Sequence, residues 1–358
     1  MIARIRQESN LLVGAVVAAA ALGLEHTILH SGQMISLIVG VALVGVIILI
    51  SLRVAHHAEI LAEKVGEPYG TMILTLSAVL VEVVVLIMML GHTSSPTLAR
   101  DTIYSAVMLD MNGILGIAAI MGGLRHGEQP YNVDSGNTYI VMILTGMGVS
   151  MVVPAFLPEV HWQVYSIFTA AIMIVLYLVF LRLQTTRHSY FFSYSYGDSG
   201  ESDHAVEGST AWSVACVAVG IVLIGLLAEV MSKTLDTGLH GTGVPPIVAA
   251  LLVAGISASP EILTALRAAL ANRMQAVVNI ALGASLSTVI LTVPAIIILS
   301  LFTGQAAHMA LTPVQMVMTA LTLLAAAINL HDGETNAIEG ATHFVLFATF
   351  IMLSMLGV

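Results

Sequence analysis

Side chains able to bind a cation lie inside apolar stretches of this sequence, and the densest group occupies residues 255–288. An ionised glutamate near the centre of a membrane-spanning helix costs about 2.5–3.5 kcal/mol, so we expect Glu261 to face a cavity, a partner or an ion. Pro260 has no N–H, so the carbonyl of Ile256 loses its helical donor and becomes free to face a cation. The residues of this group that we predict to bind a cation are Ser257, Ser259, Glu261, Asn279, Ser285 and Ser287.

The ligand types of this group indicate which kind of ion it would bind. Carboxylate, hydroxyl, amide and carbonyl oxygens suit Ca²⁺ or an alkali ion and suit soft metals badly. Ser257 precedes Glu261 by one helical turn on the same face, whereas Ser259 would join the site only if the helix is locally distorted. Small polar residues also pack membrane helices against one another. Packing alone does not require a glutamate, so we favour a cation site.

A second carboxylate, Glu82, occupies a comparable place in the first half of the chain. It lies about 14 residues after Pro68, much as Glu261 lies about 15 residues after Pro246. Thr75 falls on the same helical stripe as Glu82. We therefore predict that Glu82 and Glu261 are the two principal metal ligands, with Thr75 near the first of them.

Asp110 and Asn112 are further candidate ligands in the next predicted helix. Residues two apart cannot both face one site on a regular helix, but a break at the step from Asn112 to Gly113 would allow it. In the alternative interpretation Asp110 pairs with another helix. The cost of a carboxylate at membrane depth keeps the functional interpretation open.

The composition defines the class of protein in which these residues stand. The chain has 358 residues, of which 58% are hydrophobic and 9% charged, whereas soluble domains have about 25% charged residues. This predicts an all-α polytopic membrane protein in a lipid bilayer. The single Cys216 excludes an internal disulfide. A net charge of −10 with only 11 basic residues argues against nucleic acid as a partner.

Hydropathy, read with spans of about 20 residues, predicts about 11 transmembrane helices. Their expected ranges are 10–30, 34–52, 68–91, 101–121, 137–157, 163–184, 211–231, 244–270, 272–302, 312–330 and 338–357.

The basic residues predict the orientation of these spans. A cytoplasmic N-terminus places nine of the 11 Lys and Arg residues inside and only Arg100 and Lys233 outside, as the positive-inside rule requires. The C-terminus is then outside.

The predicted spans also divide into two repeats. The first helix is extra, and spans 2–6 and 7–11 form two five-helix repeats of inverted orientation, an arrangement that places a transport site at the repeat interface. In chain order the predicted parts are 1–52 (N-terminal helix and start of the first repeat), 53–184 (first repeat), 185–210 (linker) and 211–358 (second repeat).

The linker between the halves is the only long polar segment. It is interpreted as a solvated connection or, alternatively, as a cytoplasmic Ca²⁺-sensing strip. Its acidic residues are Asp198, Glu201, Asp203 and Glu207.

Enzyme motifs do not occur in this sequence. There is no HExxH zinc motif, phosphate-binding loop, nucleophile elbow or aspartate pair of an intramembrane protease. The chain is therefore expected to be an ion-coupled transporter without a cofactor, with an ion channel or an intramembrane enzyme as remote alternatives. His343, inside the last span, is a candidate proton carrier. The sequence leaves the oligomeric state open, including a homo-oligomer.

Several short motifs resemble those of the ChaA-type calcium/proton antiporters, which belong to the calcium/cation antiporter superfamily. They are His57-Ala58, Leu61-Ala62 and 66–70 before the Glu82 helix, 96–98, 100–102 and Tyr104-Ser105 after it, and 259–261 through 292–294 in the second half. The resemblance implies an exchanger in the bacterial inner membrane, with alpha-repeats at 70–118 and 250–295. It further implies that Glu82 and Glu261 bind the cation in alternation with protons.

Departures from the related exchangers concern the choice of ion. The comparison with exchangers of the related vacuolar and bacilli type implies that Asn279 replaces an acidic residue and that Asp110 replaces an asparagine. The transported ions are expected to be Ca²⁺ and H⁺, and the resemblance to ChaA-type proteins implies transport of Na⁺ or K⁺ as well. A Na⁺(K⁺)/H⁺ antiporter without Ca²⁺ transport is the alternative. Two carboxylates facing each other would raise each other's pKa and so favour proton uptake when no cation is bound.

Overall fold

The computed structural model of the chain describes residues 8–66, 69–91, 95–185, 209–304 and 308–357. Its regular structure is helical apart from two two-residue strands. The helices in chain order are α1 (Ser9–His30), α2 (Gln33–Val65), α3 (Tyr69–Leu90), α4 (Leu98–Met108), α5 (Leu115–His126), α6 (Val133–Met147), α7 (Trp162–Thr185), α8 (Thr210–Leu239), α9 (Ile247–Leu270), α10 (Met274–Ser287), α11 (Val293–Thr303), α12 (Pro313–Asn329) and α13 (Ala337–Leu356).

Shorter turns of π-helix and 3₁₀-helix join several of these helices. The π-helical turns are Leu109–Ile114 between α4 and α5, Gly148–Val152 after α6 and Thr288–Thr292 between α10 and α11. The 3₁₀ turns are Val153–Phe156 and Glu159–His161. Strands β1 (Gln129–Pro130) and β2 (Glu334–Thr335), which hydropathy does not predict, pair antiparallel.

These helices confirm the prediction of an all-α polytopic membrane protein. Among the described residues, ten helical stretches are long and apolar enough to cross a membrane, and Pro313–Asn329 is a shorter apolar helix. The count of membrane crossings and the inverted repeats stay predictions. The largest difference in length concerns α2, expected over 34–52 but extending to Val65. Its last turns carry polar residues that pair with residues elsewhere in the chain. Hydropathy assigns such residues to loops, because it does not register their partners.

The chain forms two compact units. The first contains Met1–Ser95 and Ala205–Pro260, and the second contains Pro96–His204 and Glu261–Val358. Each unit thus combines segments from both halves of the sequence. The division in chain order into 53–184 and 211–358 concerns repeats rather than packing, and it stays a prediction.

The first unit is built on the close packing of α2 against α8. Glycines on both helices make this possible, because a Cβ at Gly40 would lie 2.8 Å from a side-chain carbon of Leu235, and one at Gly238 would lie 2.7 Å from backbone atoms of Leu37. Small residues that let backbones approach are the usual basis of helix association in membranes. Gln33 Nε2 also donates to the carbonyls of Gly238 (3.2 Å) and His240 (2.6 Å), which satisfies the C-terminal end of α8.

This packing leads to a stability prediction. We expect Gly238→Ala to lower the unfolding free energy by about 1–3 kcal/mol, because the new methyl group would press against the main chain of Leu37, which cannot rotate away. Gly45→Ala is the matched control, since Gly45 lies in the same unit and its added methyl group would meet no neighbouring atom within 4 Å. Thermal unfolding in detergent would be compared. Equal melting temperatures for both variants would contradict the prediction.

The second unit is organised around the buried span from α4 to α5. All residues from Leu98 to Ile114 are buried apart from Arg100. Helix α13 packs closely on α5, since a Cβ at Gly116 would lie 2.9 Å from the backbone nitrogen of Phe344, and one at Gly340 would lie 2.7 Å from the carbonyl oxygen of Gly116. The β1–β2 pairing, with Gln129 opposite Thr335, fastens the ends of the same two helices. This span carries Asp110 and Asn112.

Candidate functional site

Glu82 is a buried carboxylate in α3. Its exposed fraction is 3%, and the neighbouring apolar residues Val81, Val85 and Leu86 are buried with it. The helix contributes no lysine or arginine between Tyr69 and Leu90. Thr75, two turns earlier on the same stripe, is half-buried. The negative charge of Glu82 must therefore be removed by a proton or compensated by a cation or by groups outside the helix.

Helix α9 carries the second carboxylate beside an internal proline. Glu261 is half-buried, and Pro260 lies inside a continuous helix. The Ile256 carbonyl, which lacks a helical donor because of Pro260, accepts a hydrogen bond from Ser259 Oγ at 2.8 Å. Ser257 Oγ donates to the Ala254 carbonyl at 3.0 Å. Both serines thus bind their own helix in this structure, and the carbonyl expected to face a cation has a hydroxyl donor.

The π-helical turn at Leu109–Ile114 determines where Asp110 and Asn112 lie. Asp110, 2% exposed, accepts a hydrogen bond from Ser285 Oγ of α10 at 3.3 Å. Asn112, fully buried, donates from Nδ2 to Thr322 Oγ1 of α12 at 2.7 Å. The expected irregularity is present, but the two side chains contact different helices. Of the predicted ligands, the second unit therefore brings Asp110 and Ser285 together.

Asn112 also links His343 to this polar group. His343 Nδ1 lies 3.0 Å from Asn112 Oδ1, and the histidine is 2% exposed. Thr322 and His343 therefore form one buried chain of contacts with Asn112. Thr322 is not among the predicted site residues, because one threonine in an apolar helix is common. Its only signal in the sequence would be its place on the buried stripe of α12.

The contact between Asn112 and Thr322 leads to a second stability prediction. Thr322→Val keeps the shape but removes the acceptor of the Asn112 amide, so we expect a loss of about 1–3 kcal/mol in unfolding free energy. Thr349→Val is the matched control, because the Thr349 hydroxyl is exposed and donates to its own helix at Val345. Denaturation in detergent would compare the two. A Thr322→Val protein as stable as the control would disprove the role.

The remaining predicted residues lie along α10. Asn279 is half-buried, and its Oδ1 accepts a hydrogen bond from Gln275 Nε2 at 2.9 Å. Ser287, 8% exposed, donates to the Gly283 carbonyl at 2.7 Å. Gln275, not predicted, also donates to Ser135 Oγ and accepts from the N–H of Asn132. Asn279 therefore belongs to a polar cluster between α10 and the start of α6.

The acidic linker residues lie outside the described residues. They are Asp198, Glu201, Asp203 and Glu207. A sensing role for them stays a prediction.

Comparisons with known proteins agree with this arrangement of helices. Residues 35–186 and 212–356 match the sodium/calcium exchanger protein family. The chain is 31% identical over 350 residues to an ionic transporter of Sinorhizobium fredii, in a match that covers 96% of this chain and 94% of that protein. It is 30% identical over 331 residues to the sodium-potassium/proton antiporter ChaA of Escherichia coli, covering 90% of each.

A solved structure shows the same fold. Native YfkE, a Ca²⁺/H⁺ antiporter, superposes with a TM-score of 0.77 and 17% identity, covering 96% of this chain and 99% of that one.

Proposed function

The chain belongs to the sodium/calcium exchanger protein family, and from this premise we propose that it exchanges a metal cation for protons across a bacterial inner membrane by alternating access. It is an integral membrane transporter and not an enzyme. We further propose that the N-terminus is cytoplasmic and the C-terminus external, as the distribution of Lys and Arg predicts. Apart from the transported ions, no cofactor is proposed.

The burial of Glu82 is the observation that carries this proposal. For a carboxylate that is 3% exposed in an apolar helix, a proton, a cation or polar groups of other helices must offset the cost of its charge, and the first two can replace each other. Desolvation favours the protonated form, and a bound cation favours the ionised form. Protonation and cation binding at one carboxylate are therefore mutually exclusive, which is the chemical requirement of an antiporter.

Glu261 is proposed to act in the same way in α9. It follows Ser257 by one turn, and Pro260 leaves the Ile256 carbonyl with one fewer donor than a regular helix would give it. A carbonyl oxygen has two lone pairs, so the Ile256 carbonyl retains capacity for a cation beside the Ser259 hydroxyl. Rotation of Ser257 and Ser259 away from their own helix would free two more oxygens. Thr75, Ser285, Ser287, Asn279, Asp110 and Asn112 are proposed as further polar groups on the ion's path.

The cation is proposed to be Ca²⁺, with Na⁺ or K⁺ as the alternative. Carboxylates are preferred ligands of Ca²⁺, which takes about 6–8 oxygen ligands. The alternative rests on ChaA of Escherichia coli, which is a sodium-potassium/proton antiporter. In both cases the transported partners are cations and protons, and the exposed apolar side chains of the helices, such as Val16 and Ile38, are proposed to face lipid.

Proton flux in everted membrane vesicles tests the function and the ion. An acid-inside gradient would be formed, and Ca²⁺, Na⁺ and K⁺ would be added in turn. We expect Ca²⁺ to dissipate the gradient in vesicles with this protein and not in vesicles without it. Dissipation by Na⁺ or K⁺ alone would keep the antiport and overturn the choice of ion, and no dissipation by any of the three would overturn the function.

A further inference from the structure

Three side chains with metal-binding atoms, none of them assigned to exchange, meet in the first unit. Glu8 immediately precedes α1, His57 lies on the extended end of α2, and Cys216 lies on α8. Their ligand atoms all lie within 4.8 Å of one another, and all three residues are buried, with exposed fractions of 6%, 3% and 5%. Three separate segments thus converge on one point.

The surroundings of His57 suit a metal ligand. Its Nδ1 lies 3.3 Å from Ser213 Oγ, and its Nε2 lies 3.2 Å from Glu8 Oε2. Histidines that bind a metal usually donate the other ring N–H to a neighbouring acceptor, which fixes the ring. If Nδ1 donates to Ser213, the lone pair of Nε2 faces a carboxylate oxygen. Either a proton on Nε2 or a metal ion bound by both atoms accounts for this buried contact.

Arg53 holds the Glu8 carboxylate in place. Arg53 Nε donates to Glu8 Oε2 and Arg53 Nη2 donates to Glu8 Oε1, both at 2.6 Å. A guanidinium that donates two hydrogen bonds to one carboxyl group pairs with its ionised form. A carboxylate has about four lone-pair sites, and two are used by the arginine. The others remain available for an ion, with Arg53 as the orienting partner.

The mixed ligand set determines the class of metal. Thiolate and imidazole together with a carboxylate are ligands of Zn²⁺, which prefers four-coordinate tetrahedral geometry. Ca²⁺ and the alkali ions bind oxygen ligands and do not compete for a thiolate. We propose that Glu8, His57 and Cys216 bind one Zn²⁺ ion, with a water molecule as the fourth ligand. On binding, the Cys216 thiol loses its proton to the buffer, and the ion links the start of α1 to α2 and α8.

Co²⁺ is the spectroscopic probe for this site. Purified full-length protein in detergent would be titrated with Co²⁺ and followed by its absorption spectrum. We expect one Co²⁺ per chain, with a thiolate-to-cobalt charge-transfer band that Zn²⁺ removes by displacement. Cys216→Ser should lose the band. Ser213→Ala should weaken binding about 10–100-fold, as is usual when the partner of a metal-bound histidine is removed.

Matched variants keep the test decisive. His56→Ala changes the exposed neighbour of His57 and should leave Co²⁺ binding unchanged. Size-exclusion chromatography would verify folding, and Cys216→Ser replaces only the sulfur atom by oxygen. Absence of the thiolate band in the wild type, or an unchanged band in Cys216→Ser, would overturn the proposal. In the first case the contacts among Glu8, Arg53, His57 and Ser213 are an ordinary hydrogen-bonded group. Because the readout is metal absorption, it is independent of whether the protein exchanges Ca²⁺, Na⁺ or K⁺.

Discussion

Replacing Glu82 by glutamine should abolish proton-coupled cation exchange while leaving the protein folded in the membrane. Glutamine keeps the size of the side chain but neither titrates nor carries a negative charge. Removing one partner of a buried charge pair costs about 3–5 kcal/mol, which corresponds to about two to four orders of magnitude in cation affinity. Because Glu82 is 3% exposed, solvent cannot compensate for the loss of its carboxylate as a cation ligand. Dissipation of a preset pH gradient in everted vesicles would measure the effect.

Glu63→Gln is the control for this variant. Glu63 is an exposed carboxylate of α2 in the same unit, so the substitution changes the net charge by the same amount without touching a buried site. It should exchange cations like the wild type. Glu82→Gln protein that is present in the membrane in normal amount and exchanges at the wild-type rate would refute the assignment of Glu82.

Glu261→Gln is expected to cause a comparable loss of exchange. Glu261 is half-buried in α9 directly after Pro260. Here the charge can be separated from the shape, because Glu261→Asp keeps the carboxylate and shortens its reach by one methylene group. We expect Glu261→Asp to retain exchange at a higher half-saturating cation concentration and Glu261→Gln to retain none. Concentration series of Ca²⁺, Na⁺ and K⁺ would be measured for both.

Glu159→Gln is the matched control for Glu261, since Glu159 is exposed in the same unit. If Glu261→Gln and Glu261→Asp lost activity equally, exchange would require both the charge of the side chain and its full reach. If Glu261→Gln worked normally, Glu261 would not be a site for the transported cation or proton.

The class of the fold was accessible from the sequence because hydropathy directly reports helices that face lipid. The lengths of α2 and α8 were less accessible. Their last turns carry Arg53, His57 and Lys233, whose side chains contact Glu8 or Glu25. A scale based on transfer energies assigns such residues to loops, because it cannot register a partner distant in the chain.

The site was predictable in its carboxylates and less so in the contacts of its neutral residues. Glu82 could be predicted from its position in an apolar stretch, because burying a charge there is costly. The freed carbonyl of Ile256 was expected from Pro260, but its hydrogen bond from Ser259 was not, since a serine hydroxyl can reach several carbonyls. Similarly, Asp110 and Asn112 contact separate helices, as residues two apart do on a regular helix, although the expected irregularity is present.

The resemblance to ChaA-type antiporters is confirmed by the 30% identity to ChaA of Escherichia coli. The choice between Ca²⁺ and the monovalent ions was not accessible from the ligand types. All three ions are hard and take oxygen ligands, so their discrimination depends on the number and spacing of oxygens. Asn279 is a case in point, because an amide oxygen in place of a carboxylate removes a charge but not a ligand.

The glycines that join α2 and α8 have a mechanical consequence. Leu235 packs against Gly40, and the main chain of Leu37 packs against Gly238. Each helix therefore has a glycine at which an atom group of the other helix comes close to its backbone. If one helix moved along the other by a turn, about 5.4 Å, the packed groups would no longer lie opposite the glycines, and side chains would clash with the backbone. This close packing holds the two helices in a single register, so any displacement of α2 would carry α8 with it.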